Sequence, residues 1–215
     1  MIHVVYALWN LLLACVPVVL GLALARGLSR TGSPRWHWLP VALAWLLFVP
    51  NTCYLLTEWR HIFARLEYQE LFRKAHESQA GLLWLLFLCG CGIVYSGMGI
   101  LTFVLAVRPL ERLARERGVR VGALAAPFFF LVAHGVYLGL VLRFNSWDAV
   151  TRPGAVFEAM LGAFTHPVLL GLTAAFAFCL WLAYLGVDIW LDGLLLRLKR
   201  VQGSGFRIQQ GSGMR

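Results

Sequence analysis

Leu39-Pro40-Val41-Ala42-Leu43-Ala44-Trp45-Leu46-Leu47-Phe48-Val49 runs directly into Pro50-Asn51-Thr52-Cys53-Tyr54-Leu55-Leu56-Thr57-Glu58-Trp59-Arg60-His61. The first part is almost wholly apolar. The second brings a helix-breaking proline, an amide, two threonines and a tyrosine, a carboxylate and an imidazole to its end. A similar change of character follows a later apolar run, at Leu142-Arg143-Phe144-Asn145-Ser146-Trp147-Asp148. An apolar helix that ends in a polar cluster, twice, is the pattern of membrane spans that bring their ends to one face.

Composition supports lipid as the solvent. Of 215 residues 60% are hydrophobic and only 13% charged, against about a quarter charged in soluble domains. Such a chain cannot cover itself with polar groups. A bilayer core needs about 20 apolar helical residues, and five runs supply them: Val4–Ala25, Trp36–Leu56, Gly81–Val107, Val121–Leu142 and Pro167–Leu191. The fold class expected is all-α, a polytopic membrane bundle of about five transmembrane helices with interfacial helices beside them. Residues 1–200 read as a single domain. Residues 201–215, with two Gly-Ser-Gly repeats, read as a flexible cytoplasmic tail. The first run lacks a basic leader and is longer than a signal-peptide core, so it reads as a retained span. The two interfacial candidates are Trp59–Ala75 and Pro153–Phe164, whose apolar residues recur near helical spacing.

The net charge of +9 comes from nineteen basic residues lying mainly between apolar runs. That distribution points to topology and anionic headgroups and gives no reason to expect nucleic acid. With five spans, one side carries 13 Lys and Arg and the other 6. The richer side is expected in the cytoplasm, with the N-terminus outside and the C-terminus inside. The five cysteines lie in or at the ends of apolar runs and read as small packing residues, not a disulfide framework. Gly92 with Ser96, and Gly135 with Gly139, are small-xxx-small pairs suited to close helix packing.

This topology gathers polar side chains at the outer face and gives no comparable set at the inner one. Asn51, Thr57, Glu58 and His61 close the second run. Arg143, Asn145, Ser146, Trp147 and Asp148 close the fourth, and His166 opens the fifth. Ionisable groups at membrane depth are costly and mark candidate sites. Glu58 and His61, three apart on a helix, share a face. With Asp148 and His166 they form a candidate set for a divalent metal. Without a metal, Glu58, His61 and Asp148 can serve as general acid and base. Arg143 can hold an anion or pair with Asp148 or Glu58. Each residue also has a plain structural reading: Asn51 satisfying backbone freed by Pro50, Arg143 snorkelling, Trp147 in an aromatic belt. His134, inside the fourth run near Tyr137, reads as a hydrogen-bonded structural residue. Asp188 and Asp192, i and i+4, read as a solvated or arginine-paired helix end.

The two motifs resemble those of the bacterial multi-pass membrane proteins grouped as domain of unknown function 1361. Pro50, Asn51, Tyr54, Thr57 and His61 match a Pro-Asn-x-x-Tyr-x-x-Thr-Asp-x-x-His segment, with Glu58 in place of its Asp. Arg143, Asn145, Ser146, Trp147 and Asp148 match an Arg-x-Asn-Ser-Trp-Asp segment. The likeness covers roughly Trp36 to Leu185. It implies a bacterial inner-membrane bundle and supplies no activity. The expected function is therefore a polar site at the extracytoplasmic face that binds or processes an envelope or lipid-linked substrate. Substrate-binding residues would be Asn51, Tyr54, Thr57, Arg143, Asn145, Ser146 and Trp147. The alternatives are a structural subunit beside other membrane proteins, or a small-solute or ion transporter. Whether the chain is an enzyme stays open.

Overall fold

The computed structural model describes residues 2–31, 36–57 and 68–212, with side chains at 7–30, 36–57 and 69–200. Helix α1 spans Ile2–Thr31. A 3-10 turn at Trp36–Trp38 leads into α2, Leu39–Phe48, and α3 follows at Pro50–Thr57. Then come α4 (Tyr68–Glu77), α5 (Gln79–Glu116), α6 (Val121–Leu140), α7 (Asp148–Thr151), α8 (Pro153–Phe164) and α9 (Pro167–Ser212). Among the described residues there is no strand. Among the described residues, five helical stretches are long and apolar enough to cross a membrane: Ala7–Arg30, Trp36–Thr57, Gln79–Glu116, Val121–Leu140 and Pro167–Arg200. Only 22–33% of the most apolar part of each is buried within the protein. The remainder, including Leu83, Ile93, Val94, Val168 and Leu172, faces outward. Apolar side chains turned outward along five long helices are placed for lipid, and the chain is a multi-pass membrane protein.

Local sequence explains most of the helix ends. Pro40 lies in the first turn of α2, where a missing N–H breaks no helical bond. Pro50 cannot donate, so α2 and α3 meet at a break around Val49. There the Thr52 N–H bonds the Val49 carbonyl at 3.1 Å in the tighter i to i−3 pattern. Ser78 caps α5, its Oγ accepting from the Gly81 N–H at 3.0 Å. Proline opens α8 and α9.

Two helices run further than their apolar stretches. α5 does not stop at Val107 but continues through Pro109 to Glu116, so Arg108, Arg112 and Arg115 stand on a helix and not in a loop. α9 continues as helix to Ser212 through glycines expected to form a flexible tail; no proline follows Pro167 to end it. Of the two interfacial candidates, Pro153–Phe164 is a helix with the expected bounds. The other is described only from Tyr68. There α4 buries Leu71 and sets Glu70, Arg73, Lys74 and Glu77 in ion pairs one turn apart.

The core lies where α3, α5, α6 and α9 meet. Phe103, Phe129 and Tyr184 pack edge to face, with ring centroids 5.6–6.0 Å apart, beside Val49, Cys53 and Val132. Close approach elsewhere depends on glycine. A β-carbon on Gly135 would lie 2.7 Å from Pro50 Cγ, and one on Gly139 would strike the Tyr54 hydroxyl. The Gly135 and Gly139 pair on α6 is therefore the seat for Pro50 and Tyr54, themselves one turn apart on α3. All five cysteines carry free thiols.

Candidate functional site

The second motif begins where α6 ends. The Val141 N–H still bonds the Tyr137 carbonyl at 2.9 Å, and the Phe144 N–H reaches back to Leu138 at 3.1 Å. Between them Arg143 takes φ +60°, the one positive φ outside glycine among the described residues. A β-carbon there meets the following carbonyl, at a cost of about 1–2 kcal/mol. The Arg143 side chain is exposed and has no polar partner among the described residues.

Asn145 to Asp148 then form a tight turn. The Asp148 N–H bonds the Asn145 carbonyl at 2.9 Å. In return Asp148 Oδ2 accepts the Asn145 backbone N–H at 2.7 Å and lies 3.5 Å from its Nδ2. Asp148 Oδ1 accepts from Arg152 Nη2 at 2.9 Å. Of the alternatives open to Arg143, the pair with Asp148 is not formed, and Arg152 takes that place. The reason is local: Asp148 opens α7, and Arg152 lies one turn on along the same face. The Asp148 side chain is 4% exposed. The Asn145 N–H, and then the Arg152 guanidinium, hold its carboxyl below the ordinary aspartate value of 3.8.

That direction fixes a pH dependence. A carboxyl whose pKa is depressed by folding stabilises the fold above its unfolded value, and the gain is lost as pH falls through the folded value. Exchange of the Asn145 amide, relative to its intrinsic rate, should therefore quicken once pH drops below 3.8. Asp148→Asn should quicken it at every pH and flatten the profile. A wild-type profile unchanged by acid would contradict the anchoring role.

The two motifs do meet. Ser146 Oγ donates to the Leu47 carbonyl at 3.1 Å and lies 3.5 Å from Asn51 Oδ1. Asn51 is buried. Backbone near the Pro50 break is thus satisfied by Ser146, a residue 99 positions away, where Asn51 was the expected donor. Thr57 Oγ1 donates to the Tyr54 carbonyl at 3.0 Å, within its own helix. Trp147 and His166 are exposed and stand outside the cavity described below. Glu58 and His61 lie outside the described residues. Among the described residues, no three His, Cys, Asp or Glu side chains are grouped to hold a metal ion.

Beside the joined motifs lies a half-open cavity of about 160 Å³. Leu46, Leu47, Pro50 and Tyr54 form one wall, and Leu131, His134, Gly135, Leu138 and Gly139 of α6 another. Phe144, Asn145, Ser146 and Ala149 form the rim, with Val156 and Met160 of α8 opposite. An apolar pocket with a few converging polar groups is the usual form of a small-ligand site. His134 departs from expectation. It is buried, but neither ring nitrogen has a hydrogen-bond partner among the described residues. The nearby Met160 carbonyl falls outside hydrogen-bonding geometry. Rings surround it instead: Phe164 at 5.4 Å, Tyr137 at 5.9 Å and Phe130 at 6.1 Å between centroids. A buried polar group left so costs about 1–3 kcal/mol.

The opposite end of the bundle also carries a polar set, where none comparable to the outer one was expected, and in it Asp188 and Asp192 are arginine-paired as the sequence suggests. Buried Arg108 pairs with Asp188 at 2.6 Å and with Asp192, which also takes Arg112 at 2.5 Å. Tyr184 donates to Glu111, which also pairs with Arg115. Two i, i+4 pairs of opposite sign, Arg108 with Arg112 and Asp188 with Asp192, are visible in the sequence. The carboxylate pair reads from the sequence as an arginine-paired helix end; the arginine pair escapes notice when α5 is ended at Val107.

A family model described as Protein of unknown function (DUF1361) matches residues 9–183. The match takes in both motifs, His134 and the short helix α8. No curated protein and no solved structure matches the chain.

Proposed function

Because the chain belongs to the family described as Protein of unknown function (DUF1361), we propose its function from its own geometry. It is a membrane protein that binds an amphiphilic, envelope or lipid-linked molecule at the extracytoplasmic face, where the Pro50–Thr57 helix and Arg143–Asp148 meet. The observation that carries this reading is the cavity shared by the two motifs. Its lining is mostly apolar with Asn145 and Ser146 among it, and the exposed Arg143, next in sequence to the lining residue Phe144, has no polar partner among the described residues. Arg143 holds the anionic part of the ligand. Tyr54, Asn145 and Ser146 line the cavity, with buried Asn51 behind Ser146, and Thr57 and Trp147 outside the lining. Asp148, with both oxygens occupied, positions this turn. Glu58 and His61 are the acid–base pair if the bound molecule is also processed.

The strained backbone at Arg143 supports the same reading. Arg143→Gly removes the β-carbon from a left-handed position, and the relief of about 1–2 kcal/mol is offset in part by glycine's greater freedom when unfolded. The variant should match or exceed the wild type in thermal stability. Lipid extracts of protein purified in native-membrane discs supply the functional readout. Mass spectrometry should find one amphiphile enriched over bulk lipid in wild type, and at least about fivefold less of it in Arg143→Gly and Arg143→Ala. That factor is the loss of roughly 1 kcal/mol of charge-assisted contact. Equal enrichment in all three would overturn the proposal. Glu58→Gln and His61→Asn should keep the bound molecule, and accumulate it if they process it.

A further inference from the structure

We infer that the cavity beneath Tyr54 is a subsite for a neutral, hydroxyl-bearing group of about one ring's bulk, and that His134 recognises it. The inference rests on the amphiphile reading and specifies the part of the molecule that enters deepest. His134 lies six residues before the end of α6, about 9 Å below the face by helix rise. It is 3% exposed and lines the cavity, and neither nitrogen makes a hydrogen bond of normal geometry among the described residues, the nearby Met160 carbonyl included. Packing against Phe130, Tyr137 and Phe164 explains how the ring is held. It does not explain a histidine, because phenylalanine would fill the same aromatic box without orphaned nitrogens.

The chemistry of the lining selects the ligand. A neutral imidazole offers one donor and one acceptor, and a hydroxyl offers the converse pair. No Asp, Glu, Lys or Arg lines the cavity. A phosphate or ammonium there would sit against a mainly apolar lining without a counter-charge, which is unfavourable. The volume of about 160 Å³ is close to that of an apolar cavity that accepts benzene. The ligand therefore enters with a neutral hydroxylated end inward and keeps any anionic group outside, at Arg143.

The test uses the full chain in lipid discs and two probes that differ by a hydroxyl, 4-propylphenol and propylbenzene. Binding is measured by calorimetry, with empty discs correcting for partition into lipid. Wild type should bind the phenol about tenfold more tightly than the hydrocarbon, the value of one added hydrogen-bonded pair. His134→Phe should lose that preference and keep its affinity for propylbenzene. His134→Gln, which retains a donor and an acceptor, should keep the preference; if His134→Phe does not accumulate, this variant and wild type still decide. Equal affinity of wild type for both probes, or a preference that survives in His134→Phe, would overturn the inference. Absence of phenol preference while Arg143→Ala still sheds its amphiphile refutes the subsite alone. A clear preference with no co-purifying amphiphile refutes the amphiphile reading alone.

Discussion

Arg108→Ala should destabilise the bundle by about 3–5 kcal/mol, the cost of removing one partner from a buried ion pair. Arg108 is the most buried charged side chain of the network that joins α5 to α9. Its guanidinium faces Asp188 and Asp192 together. Without it Asp188 keeps a largely buried carboxylate with no cation beside it, since Arg112 reaches Asp192. The cost should come mainly from that stranded charge. Arg108→Met combined with Asp188→Met should then be markedly more stable than Arg108→Met alone, because an apolar pair of similar volume often equals a buried ion pair. Thermal unfolding followed by tryptophan fluorescence in detergent measures both. If the double variant is as unstable as the sum of the singles, the pair does not couple as described.

Gly135→Leu should cost about 1–3 kcal/mol by overpacking and should also empty the site. Even a single β-carbon at Gly135 would stand 2.7 Å from Pro50 Cγ, and a proline ring cannot swing away. The α3 helix must move off α6, which parts Ser146 from Leu47 and opens the cavity between the motifs. Loss of the enriched amphiphile should therefore accompany the loss of stability. Gly162→Leu is the control, because a β-carbon at Gly162 meets nothing within 4 Å. It should change neither stability nor bound amphiphile. A Gly135→Leu protein that melts normally would mean that α3 and α6 are not in this contact.

Much of this arrangement was legible in the chain. Apolar runs of span length located the five crossing helices, because lipid demands them. The i, i+4 glycines of α6 announced a close neighbour, and the two polar run-ends announced where it would be. What could not be read depends on backbone geometry set far away. The partner of Asp148 is Arg152 because Arg143 turns left-handed and Asp148 starts a new helix, a detail that periodicity does not carry. The arginine half of the Arg108 network was hidden because the apolar run ends at Val107 while the helix continues to Glu116. His134 shows a different limit. Its burial follows from its place in an apolar run, but whether its nitrogens find partners is a matter of side chains from α8 and α3. Glu58 and His61, singled out by spacing, lie outside the described residues, and their roles rest on the proposal alone.

The account turns on the two motifs forming one site on the outer face. The direct measurement is labelling of Trp147→Cys, in a chain whose five cysteines are replaced by serine or alanine, with a membrane-impermeant maleimide on intact cells. Trp147 is exposed at the rim of the joined motifs, and Arg117, exposed at the opposite end of the bundle, gives the matched Arg117→Cys control. The prediction is rapid labelling at 147 from outside and labelling at 117 only after permeabilisation. The reverse pattern, with 147 reached only from the cytoplasm, would contradict it.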